Sequence, residues 1–196
     1  GNDLLDGGDG IDLARFGGSI AVTINLVAGT ATRGSETDTL TSIQGAIGSN
    51  SADIFQGDGG TNLFQGGTGR DIATGGAGRD LYDYDRTSDS LPGPANHDVI
   101  TDFVHNSDKI DLTGIDANSL VAGNQAFLWL GDAPLTGAGQ ANFITSGGNT
   151  IIRMDSEMDH GPIIAMKAVK IGIVNLIKRF VCKKTVEKMK CIDHLY

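Results

Sequence analysis

Asp71 and Asp80 are the residues best placed to do chemistry, because each sits in the same frame. The frame is Gly66-Gly67-Thr68-Gly69-Arg70-Asp71 with Ile72-Ala73-Thr74 behind it, and directly after it Gly75-Gly76-Ala77-Gly78-Arg79-Asp80 with Leu81-Tyr82-Asp83 behind. Both read G-G-x-G-x-D and then a mostly apolar triplet. Glycine admits positive φ values that other residues avoid. Such a turn can aim several carbonyl oxygens and one carboxylate into a common space. A hard cation such as calcium takes roughly six to eight oxygen ligands of these two kinds. The leading candidate ligand-bearing residues are therefore Gly66, Gly67, Thr68, Gly69 and Asp71, with Gly75, Gly76, Ala77, Gly78 and Asp80.

The frame extends toward the N-terminus, with losses. Nine residues earlier, Gly57-Asp58-Gly59-Gly60-Thr61-Asn62 keeps the phase, but Asp58 replaces a glycine and Asn62 replaces the aspartate. Earlier still, Gly48 to Asp53 keeps the aspartate in a looser turn. At the start of the chain, Asp3 and Asp12 occupy the same phase, Asp3 within the back part of one repeat and Asp12 in a complete one. A chain that begins inside a repeat is expected to continue upstream. One turn cannot fill a calcium shell, but two nonapeptides make one coil of a parallel roll. Residues 18 apart then stack on one side, at about the 4.8 Å spacing of neighbouring strands. Calcium is expected between Asp53 and Asp71 on one side, and between Asn62 and Asp80 on the other. The second site is expected to be weaker, with Gly57, Gly60 and an amide oxygen in place of a carboxylate. Several ions are expected in all.

The elements that must hold these turns are short strands. Each triplet buries one or two side chains, which returns less free energy than ordering nine residues costs in entropy. Metal binding free energy then becomes folding free energy. The expectation is a segment disordered without calcium and folded with it. The bland reading of 29 glycines is a flexible linker with scattered aspartates; the fixed phase argues against it.

Charge supports the same view. Residues 1–159 carry seven Lys and Arg against 22 Asp and Glu, whereas residues 160–196 carry eight against two. The acidic body repels itself until cations neutralise it, and it is a poor match for nucleic acid, which needs a basic surface. No stable membrane insertion is expected: Ile163 to Val181 is the most apolar stretch, and Lys167, Lys170, Lys178 and Arg179 interrupt it. A core strand pair is favoured there over a basic membrane-surface segment. Cys182 and Cys191 lie in the tail at a spacing that matches no zinc or redox motif; a disulfide and two free thiols both remain open.

Between Arg15 and Gly48 the frame is interrupted. Ile20, Val22, Ile24 and Leu26 alternate with period two, a strand signal, Val27 to Thr30 reads as a turn, and Asp38 to Ile43 reads as a second strand. This spacer is expected to extend the same sheet without chemistry of its own. Past Asp83, Ser88 to Pro94 reads as a loop.

The nonapeptide resembles the calcium-binding repeat of RTX proteins. The segment beyond the loop resembles the C-terminal domain of serralysin-type (peptidase M10) secreted metalloproteases. The residues that carry this are Asp98-Val99-Ile100-Thr101-Asp102-Phe103 and Asp108-Lys109-Ile110-Asp111-Leu112 to Ala117, then Ala126 to Gly131, Leu135 to Gln140 and Asn149 to Asp155. The resemblance implies an all-β fold, a parallel β-roll leading into a β-sandwich-like C-terminal cap. It implies a secreted, extracellular protein exported by a type I secretion apparatus. It also implies a calcium site closing the roll near Asp98, Asp102, Asp108 and Asp111; capping of turns by Asp102 and Asp108 is the open alternative. The expected organisation is repeats in 1–15, spacer in 16–47, β-roll in 48–83, serralysin-like module in 84–182 and a basic tail in 183–196. That tail departs from the family, whose ends are acidic or apolar. Asp155 to Asp159 is expected to be a solvated acidic turn rather than a calcium loop.

No enzyme is expected in these residues. His97, His105, His160 and His194 are not arranged as H-E-x-x-H, so no zinc site is encoded, and no nucleophile–base pair is identifiable. His97 and His105 lie in loop-like contexts and are expected to be exposed. Three readings remain: a non-catalytic calcium-folded module supporting export, the C-terminal part of a secreted metalloprotease, and a repeat region of an adhesin.

Overall fold

The computed structural model describes residues 1–156 together with the backbone of two further strands, Ile164–Val169 and Met189–Asp193. The expectations placed on His160, His194, Cys182, the 157–159 part of the acidic turn and most of the basic tail lie outside the described residues. The described elements are all strands: β1 (Leu4–Asp6), β2 (Ile11–Arg15), β3 (Val22–Asn25), β4 (Thr30–Arg33), β5 (Glu36–Thr41), β6 (Gly45–Ile47), β7 (Ile54–Gln56), β8 (Leu63–Gln65), β9 (Ile72–Thr74), β10 (Leu81–Asp83), β11 (Asp98–Ile100), β12 (Lys109–Asp111), β13 (Leu128–Trp129), β14 (Gln140–Ser146), β15 (Asn149–Asp155), β16 (Ile164–Val169) and β17 (Met189–Asp193).

They form two sheets. One runs β1-β5-β4-β3-β7-β9-β11-β16-β15-β14-β13 and the other β12-β10-β8-β6-β2-β17. From β6 to β12 each successive strand joins the opposite sheet, and neighbours within a sheet pair in parallel. This is the roll: two strands per coil, joined by glycine turns. The middle residue of each triplet points inward because side chains alternate along a strand. Phe55, Phe64, Ala73 and Tyr82 are accordingly buried, while Ile54 remains exposed. The inward aromatics succeed one another across the roll, with ring centroids 5.3 Å apart for Phe55 and Phe64 and 6.2 Å for both Phe64–Tyr82 and Tyr82–Phe103. Such tilted pairs add to the area they bury.

The spacer adds β3, β4 and β5 as an antiparallel meander in the first sheet. β3 pairs with β7, so the meander is continuous with the roll. Its apolar residues Val22, Ile24, Ala31 and Leu40 are buried in the same core as Phe55 and Phe64. Beyond Asp83 the coil continues: β11 lies on β9, and β12 lies on β10. β13 to β16 extend the first sheet, with β14, β15 and β16 antiparallel. The loop between β10 and β11 does not hold its histidine in solvent. His97 is 6% exposed, contrary to expectation, because the chain beside it is tied to the roll: the next residue, Asp98, is itself buried and accepts from the Asp71 N–H. His105 is half-buried for the same reason, lying in the turn that stacks on the glycine turn before β10.

Candidate metal centre

The turns stack as the nonapeptide period requires. The Asp53 N–H donates to Asp71 Oδ1 at 2.8 Å and the Asn62 N–H to Asp80 Oδ1 at 2.9 Å, each across 18 residues. Each aspartate thus uses one oxygen to bind the main chain of the coil before it. The ladder runs on past the repeats, since Asp98 Oδ1 accepts from the Asp71 N–H at 2.8 Å and Asp108 Oδ1 from the Asp80 N–H at 3.1 Å.

Glycine is needed where the coils touch. Gly67 has φ +91° and Gly69 φ +132°; in the next turn Gly76 has φ +91° and Gly78 φ +114°. A Cβ on Gly67 would strike the Ser49 carbonyl oxygen, and one on Gly76 the Asp58 carbonyl oxygen. Main-chain oxygens of one coil therefore lie against the turn of the next. On the inner side, a Cβ on Gly66 would strike Asp71 Oδ2, and one on Gly75 would strike Asp80 Oδ2.

Those second oxygens are the chemically unusual atoms. Oδ2 of Asp12, Asp71 and Asp80 is buried without a hydrogen-bond partner. A buried carboxylate oxygen left so is costly unless something positive meets it. At four aspartates of the ladder the charge itself is disfavoured, and burial pushes Asp53 up as well. Burial, reinforced by the Asp98 carboxylate, pushes Asp71 up to about 8, and burial with the Asp108 carboxylate nearby pushes Asp80 up to about 6. Burial pushes Asp98 up to about 7, with the Asp89 carboxylate adding to the rise. Among the described residues no three His, Cys, Asp or Glu side chains converge on one point. What each glycine turn offers is one carboxylate among main-chain oxygens, the donor set suited to a hard cation. The residues present thus fit calcium at Asp12, Asp71 and Asp80.

The other candidate residues are placed differently. Asp53 is saturated: Oδ1 accepts from the Val22 N–H and the Ser49 hydroxyl, and Oδ2 from the Ser49 N–H at 2.6 Å. Asn62 Oδ1 accepts from the Asp58 N–H at 2.9 Å, and its Nδ2 donates to the Gln44 carbonyl and to Asp58 Oδ1. Gly57 packs against the Gly75 carbonyl and Asn62 Oδ1, and the Gly60 N–H donates to Asp58 Oδ1. The Thr68 hydroxyl donates to the Asn50 carbonyl, and the Ala77 N–H to the Asp58 carbonyl. Asp102 grips the turn above it, accepting from the Gly75 and Gly76 N–H groups at 2.8 Å each. Asp108 Oδ2 accepts from the Val104 N–H at 2.6 Å. Asp3 is exposed at the edge, its N–H donating to Asp38 Oδ1 at 2.9 Å.

The repeat pattern does not reveal Gln44, whose Oε1 takes the Asp12 N–H at 2.8 Å as an aspartate would. Its signal is the period alone, since it stands 18 residues before Asn62. Nor does it reveal Asp89 and Ser90, buried in the loop before β11, where Ser90 Oγ accepts from the Asp98 N–H.

A family model described as the peptidase M10 serralysin C terminal matches residues 5–133, from the first strand through the roll and past β13. This chain belongs to the serralysin C-terminal family. The matched family is the C-terminal part of such proteins and not their peptidase unit. No curated protein matches the chain. Among solved structures, the AlgE6R3 subunit of the mannuronan C5-epimerase from Azotobacter vinelandii is similar at 16% identity and a TM-score of 0.45, over 97% of this chain and 96% of that one.

Proposed function

We propose that this serralysin C-terminal chain is a non-catalytic module that folds on calcium outside the cell and supports export through a type I secretion apparatus. The observation that carries the reading is the set of buried, unpartnered Oδ2 atoms of Asp12, Asp71 and Asp80, each in a glycine turn. Calcium bound there would supply the positive charge that these carboxylates lack. Asp71 and Asp80 would hold it, with main-chain oxygens brought close by Gly67, Gly69, Gly76 and Gly78. Oδ1 of both aspartates meanwhile ties adjacent coils together. Calcium modules of extracellular proteins work at dissociation constants of about 0.1–1 mM. In a chain of that affinity the ion-dependent coils stay unordered at the low calcium inside a cell during passage through a channel, and fold where calcium is abundant, which opposes its return. The match to a serralysin C terminus favours a second, compatible reading in which the module lies behind a zinc peptidase domain.

The test is a calcium titration monitored by far-ultraviolet circular dichroism, on the wild type and on the double variant Asp71→Asn, Asp80→Asn. The wild type is expected to gain β signal at about 0.1–1 mM calcium. The variant should need at least ~10-fold more, because the amide keeps the Oδ1 contact but carries no charge. An unchanged midpoint in the variant would reject the assignment of these residues.

A further inference from the structure

Within one roll the turns close in two different ways. In turns 66–71 and 75–80 the second residue is glycine at φ +91°. That conformation swings its N–H away from the aspartate of its own turn: the Gly76 N–H goes to Asp102 Oδ2 instead. In turns 48–53 and 57–62 the second residue is Ser49 or Asp58, and neither has a positive φ. Their N–H groups point inward, onto Asp53 Oδ2 at 2.6 Å and Asn62 Oδ1 at 2.9 Å. The oxygen left unpartnered in Asp71 and Asp80 is thus supplied with a donor in these two turns.

Further donors complete the closure. The Ser49 hydroxyl donates to Asp53 Oδ1, and the Ser51 N–H returns to Ser49 Oγ at 3.0 Å. The Asn62 amide group donates to the Gln44 carbonyl at 3.2 Å and to Asp58 Oδ1 at 3.1 Å. It thereby offers its positive hydrogens to a main-chain oxygen and a carboxylate, the two kinds of group a calcium ion would gather. The Gly60 N–H secures the same Asp58 oxygen at 2.7 Å. Both oxygens of Asp53 and the amide oxygen of Asn62 thus have N–H or O–H donors, and such pairs need no ion to be buried.

These turns also rest on tightly buried apolar side chains. The Val22 N–H reaches Asp53 Oδ1. Phe16, Val22, Ile24, Ala31 and Ala46, all at 1% exposure or less, pack beside Phe55 and Phe64. We propose that turns 48–53 and 57–62, with the β3–β6 spacer, form a calcium-independent nucleus in which Ser49, Asp58 and Asn62 do by hydrogen bonding what an ion does in turns 66–71 and 75–80. The inference rests on the calcium reading of those latter turns. It assigns the spacer a role of its own: a template present before the ion-dependent coils are ordered.

The test is amide hydrogen exchange on the full chain in excess chelator and again in millimolar calcium. In chelator, amides of residues 22–62 should exchange on the order of 100-fold more slowly than those of residues 66–80. Calcium should remove the difference. No protection anywhere in chelator, with uniform protection in calcium, would overturn the nucleus while leaving the calcium reading standing. Uniform protection in both conditions would overturn both. A second measurement counts ions by native mass spectrometry in the variant Asp58→Gly, Asn62→Asp, which restores G-G-x-G-x-D at 57–62. One additional calcium per chain is expected, together with loss of protection at 57–62 in chelator. The same ion count as the wild type, with protection at 57–62 retained in chelator, would contradict the proposal.

Discussion

At the scale of single residues, the behaviour of the roll depends on what one carboxylate oxygen meets. Asp53 and Asp71 occupy the same phase of the repeat and stack 18 residues apart. One is closed by Ser49 and Val22, whereas the other keeps a bare buried oxygen. Burial of the ladder has a pH signature, in which Asp53 is raised as well. Asp71, Asp80 and Asp98 titrate at about 8, 6 and 7 in the folded chain, above the carboxylate range of the unfolded one. A folded state that binds protons more tightly than the unfolded state is favoured by acid. Without calcium, this contribution is fully present below about pH 4. It is lost as the pH rises through 6 to 8, the range of the three folded values. With calcium the sign reverses, because the ion takes the ionised form and protons compete with it. In chelator, far-ultraviolet circular dichroism should therefore show more β structure at pH 5 than at pH 8. The calcium midpoint at pH 5 should be higher than at pH 8. A chelated chain that gains stability toward pH 8 would contradict this assignment of the buried carboxyls.

At the scale of the elements, three-residue strands cohere only by stacking. Phe64 in β8 touches Phe55 and Tyr82 on either side, and each coil adds one such ring or a smaller residue. Phe64→Ala should cost about 3–5 kcal/mol in the calcium-loaded protein, measured as a lowered urea midpoint with an unchanged slope. A loss under about 1 kcal/mol would mean that the aromatic row contributes little beyond its exposed-surface value. Much of this level is legible from the sequence. The alternation of Val22 and Ile24 marks β3, and the triplets after Asp53, Asn62, Asp71 and Asp80 mark β7 to β10. What is not legible depends on contacts remote in the chain. Thr30 to Arg33 has one buried apolar residue, Ala31, and becomes a strand only because β3 and β5 flank it. Asp98 and Asp108 continue the aspartate ladder, but at separations of 27 and 28, after loops that break the period. His97 reads as a loop residue, and its burial comes from where the loop folds rather than from its composition. The second residue of each turn is plain in the sequence, as Ser49 and Asp58 against Gly67 and Gly76. Its consequence depends on the direction of an N–H, which only the folded backbone fixes.

At the scale of the whole molecule, a strongly acidic body is organised so that its inward carboxylates lie in two rows, one at each side of the roll. Asp53, Asp71 and Asp98 make one row; Asn62, Asp80 and Asp108 make the other. Repulsion along such rows opposes folding, and neutral Gln44 and Asn62 relieve it at the spacer end of the second row. Hydrogen-bonded turns lie between bare-oxygen turns, Asp12 on one side and Asp71 and Asp80 on the other, which gives the chain a centre from which to order. The measurement that tests this most directly is a crystal structure in millimolar calcium, with calcium located by its anomalous scattering. The expected result is an ion about 2.3–2.6 Å from Oδ2 of Asp71 and of Asp80, and none on Asp53 or Asn62. Ordered turns in which both Oδ2 atoms contact only water or the chain itself would contradict it.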